Sequence, residues 1–250
     1  MRILVTNDDG IDSPGLHAIA EALSRHHDVW VVAPESERSA MSHYITVKNP
    51  VILREVAPQR FTTSGSPADC VIVGMLGAMP EEPDAVVSGI NIGPNLGTDI
   101  IYSGTVAAAR QGSIMGKPSF AVSLDTFTEP MYFGPACDFV TENLETMVEL
   151  WQRDHFLNIN APNRPEAPRA VEVTRPSHRV YYDRLDEFAS PHGEVYYFLR
   201  GAPVETELAP GTDWYAISRG SISISPISIH PTITEEDETY KAAQFVVSRV

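Results

Sequence analysis

Segments typical of strands and of helices alternate along about the first 160 residues, and this alternation restricts the fold more than any other feature of the sequence. Arg2–Thr6 and Val29–Ala33 are short apolar runs, which are typical of strands buried on both faces. Residues 14–25, between them, carry apolar side chains at helical spacing. The pattern continues with strands at 45–63, 85–88, 120–123 and 156–160, and with helices from Ser66-Pro67 and over 105–114 and 138–151. Strands separated by helices form parallel sheets, so the sequence predicts an α/β fold with a Rossmann-like, doubly wound and mostly parallel sheet.

The pattern changes after about residue 165. Segments with a β-like composition follow at 171–174, 179–182, 194–199 and 214–229, and 235–250 is predicted to form a closing helix. We therefore expect a single α/β domain over 1–250, with a core of about 1–165 plus 230–250 and a C-terminal β-rich, hairpin-containing extension of about 170–229.

The balance of charges restricts the partners. Lys and Arg number 18 against 33 Asp and Glu, which gives a formal net charge of −15. A surface this acidic repels a phosphate backbone, so we expect no nucleic-acid polymer as partner. A small anionic substrate requires a local reversal of the field, and a bound divalent cation is the simplest means of providing it.

The cysteines and the apolar runs indicate the compartment. Cys70 and Cys137 are the only cysteines and form no CxxC motif, so a disulfide framework and a structural zinc site are not expected. The N-terminal apolar run is shorter than a signal-peptide core, and no run approaches the ~18 residues of a transmembrane helix. We expect a cytoplasmic protein without a membrane partner.

Two adjacent carboxylates, Asp8 and Asp9, follow the first predicted strand and precede Gly10. In an open parallel sheet, ligands bind at the carboxyl ends of the strands, and neighbouring carboxylates there are unfavourable unless a cation neutralises them. Carboxylate oxygens are hard ligands that suit Mg²⁺, Mn²⁺ or Ca²⁺. The alternative interpretation is a turn in which one of the two caps the helix near Pro14.

Three further loops place polar groups at the same predicted edge. Ser39 offers a hydroxyl oxygen to a metal or a phosphate, and Arg38 beside it offers a phosphate clamp. Asn91 and Asn95, in a glycine-rich loop, supply amide oxygens and donors. Ser103–Thr105 opens a helix, where free N–H groups and the helix dipole favour an anion. The alternatives are ordinary turns for the first two loops and a plain helix cap for the third.

Several known phosphate chemistries do not fit the sequence. It has no GxGxxG after the first strand, no GxxxxGK[ST] and no GxSxG. An aspartyl-phosphate phosphatase requires a carboxylate nucleophile at the position of Asn7, whose amide cannot form the acyl phosphate. Hydrolysis by attack of a metal-activated water is therefore favoured.

Blocks spread over nearly the whole chain resemble the survival protein E (SurE) family of nucleotidases. The blocks are MRILVTNDDGI at the start, ERSA at 37–40, SPADCV at 66–71, SGINIGPNLG at 88–97, YSGTVAAA at 102–109, LNINAP at 157–162, VTR at 173–175 and GTDWYAISRGSISISPI at 211–227. The chain departs from the family pattern at Ser66, where Thr is usual, and at 218–225, where an aromatic residue commonly follows the Gly. These departures concern substrate preference and local packing.

The resemblance implies a metal-dependent phosphomonoesterase that hydrolyses nucleoside 5′- and often 3′-monophosphates, with short-chain exopolyphosphatase activity on the side. It implies one divalent cation per subunit, Mg²⁺ or Mn²⁺. The implied ligands are Asp8, Asp9, Ser39 and Asn91. The implied catalytic residues are Asp8, Asp9, Asn95, Ser103 and Thr105, and the implied substrate contacts are Ser39, Asn95, Ser103, Gly104 and Thr105.

The resemblance also implies a homodimer or homotetramer that exchanges C-terminal elements. The aromatic, β-like region 176–230 favours the same result, because its edges would otherwise face water. Two other functions remain compatible with the paired aspartates: a metal-dependent transferase such as a glycosyltransferase, and a nucleotide- or metal-binding stress protein without turnover.

Overall fold

A computed structural model describes residues 1–201, 205–206, 208–231 and 241–243 of the chain. The described strands are β1 (Arg2–Thr6), β2 (Asp28–Pro34), β3 (Leu53–Ala57), β4 (Arg60–Thr63), β5 (Ala85–Ile92), β6 (Ser119–Asp125), β7 (His155–Pro162), β8 (Val171–Val173), β9 (Arg179–Val180), β10 (Asp183–Ala189), β11 (Val195–Gly201), β12 (Glu205–Thr206) and β13 (Ile222–Ser228). The described α-helices are α1 (Pro14–Ser24), α2 (Pro67–Val73), α3 (Gly104–Ile114), α4 (Gly134–Leu150) and α5 (Asp213–Ser218). A π-helical turn at Gly74–Ala78 and a 3₁₀ helix at Gly97–Ile101 complete the set.

One sheet organises the molecule, with the strand order β3-β4-β2-β1-β5-β6-β7-β13-β8. β1 lies at its centre and pairs in parallel with β2 and β5, so that Leu4 lies between Trp30 and Val86. β4, β6 and β7 extend the parallel arrangement, whereas β3 and β13 pair antiparallel with β4 and β7. The predicted α/β class with a mostly parallel sheet is confirmed.

Helices cover both faces of this sheet because successive side chains of a strand point to opposite sides. Ile3 and Val5 pack in a core cluster with residues of α1 and α4, such as Leu16 and Leu144. Leu4, between them, packs on the other face with residues of α2 and α3. The central strand is thus buried on both faces, which explains its uninterrupted apolar sequence.

The predicted β-structure over 45–63 is wrong for residues 45–52, where the chain is irregular. The N–H and hydroxyl groups of Thr46 bind the carboxylate of Asp69, at 3.0 Å and 2.6 Å, and the N–H of Ile52 binds the hydroxyl of Ser64 at 3.0 Å. Side chains therefore take the place of a neighbouring strand, and the β-branched composition alone was misleading.

The segment 214–229 was predicted to be β-like throughout, and this is wrong for its first part. Thr212 caps α5, its hydroxyl accepting from the N–H of Tyr215, and only Ile222–Ser228 is a strand. The helix has six residues, too few for a visible apolar period.

The C-terminal region contributes both to the main sheet and to a separate hairpin. β8 and β13 lie in the nine-stranded sheet, while β10 and β11 pair with each other in a separate two-stranded sheet. The division into a core and a 170–229 extension stays a prediction, and the predicted helix over 235–250 lies outside the described residues except at 241–243. In the described part of the chain, no helix combines the length and the hydropathy that crossing a bilayer requires.

Candidate functional site

The turn that carries Asp8 and Asp9 lies at the carboxyl end of the central strand and is fixed by the residue before them. The side chain of Asn7 donates to the carbonyl of Gly10 at 2.9 Å and accepts from its N–H at 3.3 Å. Gly10 has a φ of +102°, a conformation that favours glycine. The N-cap position of α1 is Ser13, so neither aspartate occupies it. The sequence indicated only that Asn7 cannot act as a nucleophile, and it did not predict that Asn7 fixes this turn.

Asp8 is buried against the N-terminus of α3. It is 4% exposed and accepts a hydrogen bond from the hydroxyl of Thr105. A Cβ at Gly104 would lie 2.8 Å from both Cβ and Oδ2 of Asp8, so the absence of a side chain permits this approach. Burial raises the pKa of Asp8, and the hydrogen bonds that Thr105 and the N–H of Gly104 donate to its carboxylate oppose that rise.

Asp9 is half-buried and accepts from the N–H of Ile92 at 3.2 Å, which joins it to the end of β5. Burial raises the pKa of Asp9 to about 7, and the charges of Asp8 and Glu37 add to the rise. Two neighbouring carboxylates thus lie where their negative charge is poorly compensated.

The chemistry of these groups fits a hard divalent cation. No cluster of three His, Cys, Asp or Glu side chains suited to a metal occurs among the residues that the structure describes. A ligand set built on Asp8 and Asp9 would therefore consist of two carboxylates and neutral oxygens, which suits Mg²⁺ or Mn²⁺ better than zinc. A bound divalent cation would neutralise the negative charge of Asp9, which the protein itself leaves uncompensated.

Ser39 and Asn91, the predicted neutral ligands, are positioned by the strands on either side of β1: Ser39 lies in the loop after β2, whereas Asn91 lies within β5, which extends past the predicted 85–88 into the predicted loop. The hydroxyl of Ser39 donates to Glu37 at 2.8 Å. Asn91 donates its amide to the carbonyl of Gly93 at 2.7 Å, which orients the side chain and leaves its Oδ1 without a hydrogen bond in the described structure. Arg38 is directed elsewhere, because its guanidinium donates to the carbonyl of Ser64 at 3.3 Å.

A cavity of about 550 Å³ opens beside Asp9. It is lined by Asp9, Asp12, Ser13, Pro14, Glu37, Ser39, Ile92 and Phe127. Another cavity, of about 590 Å³, lies between α4 and residues 165–171 and contains none of the predicted site residues.

Asn95 is held by three side chains that sequence reasoning did not assign. Its N–H donates to Oδ1 of Asn160 at 2.8 Å, and its carbonyl accepts from the amides of Asn158 and Asn160 at 2.8 Å and 3.0 Å. Its own amide donates to the hydroxyl of Ser123 at 2.8 Å. The LNINAP block contains both asparagines, and polar side chains at alternate positions of a buried strand were the signal that could have identified them.

The start of α3 combines a cap with a contact to the carboxylates. The hydroxyl of Ser103 accepts from the N–H of Val106 at 3.1 Å, as a helix cap does. Thr105 directs its hydroxyl to Asp8. Asp8, Asp9 and this helix terminus therefore meet at one edge of the sheet, with the Ser39 loop, the end of β5 and the Asn95 loop beside them.

Comparisons with known proteins identify the family. A family model described as survival protein SurE matches residues 3–183. Proteins named 5′-nucleotidase SurE from Thermosipho melanesiensis and Nitrosococcus oceani are each 42% identical to the chain, over 94% and 93% of both sequences respectively. The crystal structure of the SurE protein from Aquifex aeolicus superposes with a TM-score of 0.84 at 35% identity, and the match covers 96% of this chain and 98% of that one. With the family model matching most of its length and these relatives matching nearly all of it, the chain belongs to the SurE family.

Proposed function

We propose that this SurE-family hydrolase releases inorganic phosphate from nucleoside 5′-monophosphates with the aid of one divalent cation, Mg²⁺ or Mn²⁺. The observation that carries the proposal is the junction of Asp8 and Asp9 with the N-terminus of α3, which combines a cation site with an anion site. The names of the relatives from Thermosipho melanesiensis and Nitrosococcus oceani support the nucleotidase activity.

Asp8, Asp9, Ser39 and Asn91 would hold the cation. When bound, a divalent cation supplies Lewis-acid polarisation of a phosphate oxygen and activates water for attack. One of the two carboxylates, Asp8 or Asp9, would also accept the proton of that water. The burial of Asp8 limits the access of bulk water to the junction.

The phosphate side consists of Asn95, Ser103, Gly104 and Thr105. The N–H groups of Gly104 and Thr105 and the dipole of α3, which stabilise the carboxylate of Asp8 in this structure, would also stabilise the negative charge that develops on the phosphoryl oxygens in the transition state. Asn158 and Asn160 fix the backbone of Asn95, and Ser123 accepts from its side-chain amide, so this amide is positioned before substrate binds. The same arrangement is open to 3′-monophosphates and to the end of a short polyphosphate, which we propose as further substrates.

The test is phosphate release from AMP, 3′-AMP and tripolyphosphate, with Mg²⁺ or Mn²⁺ and with EDTA. We expect turnover of AMP that EDTA abolishes and Mn²⁺ or Mg²⁺ restores. Full activity in EDTA would exclude the metal. Tight nucleotide binding without phosphate release would favour a binding protein, and turnover only with an added acceptor would favour a transferase.

We propose a cytoplasmic location and a homodimer or homotetramer. Both cysteines, Cys70 and Cys137, are free and buried, which agrees with a reducing compartment. The hairpin β10–β11 exposes large apolar side chains on both strands, among them Leu185, Phe188 and Leu199. Contiguous apolar surface of this kind favours contact with a second copy, through region 176–200.

A further inference from the structure

The cavity beside Asp9 has two chemically different parts. One part is polar and includes Asp9, Glu37 and Ser39, while the other is formed by the apolar side chains of Pro14, Ile92 and Phe127. Its volume, about 550 Å³, is within the range of sites for small organic ligands. The proposed phosphate chemistry uses only the polar part, so the apolar part is left without a role.

Phe127 is the aromatic residue of this apolar part, and its side chain is 75% exposed. One edge of the ring lies against Gly93, where a Cβ would be only 2.3 Å from Cε1 of the ring. Gly93 also has a φ of +111°. Glycine at this position therefore permits both this backbone conformation and the close approach of the ring. The ring is thus supported from the Asn91–Gly93 loop while most of its surface stays in contact with solvent.

The backbone around Phe127 is also fixed. The N–H of Thr126 donates to the carbonyl of Leu124 at 2.8 Å. The hydroxyl of Thr126 donates to the carbonyl of Thr128 at 2.8 Å and accepts from its N–H at 3.2 Å. A large apolar ring held on a restrained loop loses little conformational entropy when a ligand covers it.

We propose that Phe127 is the stacking platform for the base of the nucleotide, an inference that rests on the proposed function. With the phosphate at Asp8 and the start of α3, the nucleoside extends into the adjoining cavity. The side chains of Pro14, Ile92 and Phe127 offer no hydrogen-bond partner to a phosphate, whereas they suit the face of a neutral base. Since every base has a π-face, stacking on Phe127 gives affinity for nucleotides with little preference among bases.

The test compares a substrate that has a base with one that lacks it. Steady-state kinetics are measured on AMP and on ribose 5-phosphate for the wild type, Phe127→Ala and Phe127→Tyr. We expect Phe127→Ala to lower kcat/KM for AMP about 10-fold, chiefly through KM, and to leave ribose 5-phosphate unchanged. Phe127→Tyr, which keeps the ring, is expected to retain the wild-type preference. Leu150→Ala, at a 73% exposed position at the end of α4, is the matched control and should change neither substrate.

A binding measurement separates stacking from catalysis. The inhibition constant of adenosine is expected to rise about 10-fold in Phe127→Ala, while that of inorganic phosphate stays unchanged. Equal losses on AMP and ribose 5-phosphate, or unchanged kinetics on AMP, would overturn the stacking role and leave the proposed function standing. If the wild type released phosphate from neither substrate, both proposals would be overturned.

Discussion

Asp8 and Asp9 are neighbouring carboxylates whose charged forms are disfavoured by burial, and the charge of Asp8 further disfavours ionisation of Asp9. We expect Asp8→Asn and Asp9→Asn to abolish phosphate release, because each removes a ligand of the cation. The control is Asp138→Asn on the exposed side of α4, which should keep full activity. Turnover above one-tenth of wild type in either site variant would contradict the assignment.

The raised pKa of Asp9 also predicts a pH dependence of stability in the metal-free protein. The folded pKa of about 7 lies above the ordinary value of 3.8, so Asp9 lowers the free energy of unfolding progressively as pH rises from about 4 through about 7. In EDTA, Asp9→Asn is expected to melt at a higher temperature than the wild type at pH 8, with a smaller difference at pH 5. Calorimetry at the two pH values measures this, and equal melting temperatures at pH 8 would show that the charge is tolerated.

Thr105 contributes a hydroxyl between the proposed cation site and the proposed phosphate site. Thr105→Val keeps the shape but removes this donor, and loss of one transition-state donor typically lowers kcat on the order of 10²-fold. Because Thr105 is a phosphate-side residue and not a proposed ligand of the cation, we expect the affinity of the variant for Mn²⁺ to change little. Kinetics and metal titration check both effects, with Thr105→Ser as the variant that restores the hydroxyl. A normal kcat in Thr105→Val would show that Thr105 has only a structural role.

At the scale of elements, the site depends on how closely α3 approaches β1. A Cβ at Gly104 would lie 2.8 Å from Asp8 and 2.9 Å from Pro67, so Gly104→Ala must displace the helix start. We expect a loss of activity on the order of 10²-fold and a destabilisation of about 1–3 kcal/mol. Gly134, the first residue of α4, has no atom within 4 Å of its Cβ position and provides the control. Gly134→Ala should keep activity, and wild-type kinetics in Gly104→Ala would show that the approach is not needed.

The sequence predicted the elements whose signals are local. β1, β2 and β5 appear as apolar runs, and the rule for parallel sheets then placed the loops with Asp8, Ser39 and Asn91 at one edge. The contacts of Asn95 with Asn158 and Asn160 escaped prediction because they join positions 63 and 65 residues apart. A sequence pattern shows the residue types and their neighbours along the chain. It does not show which distant carbonyl group a side-chain amide binds in the folded protein.

Two segments were mispredicted for different physical reasons. Residues 45–52 are tied down by Asp69 and Ser64, and α5 is set by the Thr212 cap and by Asp213, which accepts from the N–H groups of Gly97 and Ser177 at 2.7 Å and 2.8 Å. In 45–52, side chains remote in sequence satisfy backbone groups and override the β-branched propensity. α5 instead begins at a local cap and is anchored through Asp213 to distant N–H groups.

At the scale of the whole molecule, the exposed hairpin predicts assembly. Light scattering is expected to give a mass two or four times the 27.4 kDa of the chain. Deleting residues 183–193 removes β10 and the turn, and should shift the mass towards the monomer and weaken activity. Val47→Lys, at a position 84% exposed outside the hairpin, is the control and should leave the assembly unchanged. A wild-type mass no greater than that of one chain at micromolar concentration would refute the assembly.

The hydroxyl of Thr105 has one proton and more than one anionic neighbour in the proposed complex. While it is committed to Asp8 it is unavailable to a phosphate, and a cation that takes over the charge of Asp8 would release it. Binding of the cation and binding of phosphate are then thermodynamically linked. The factor by which the cation tightens phosphate binding equals the factor by which phosphate tightens cation binding. The enzyme would accordingly hold its cation more firmly in a phosphate-rich solution, so that inorganic phosphate, a product inhibitor of the reaction, would also protect the enzyme against chelators.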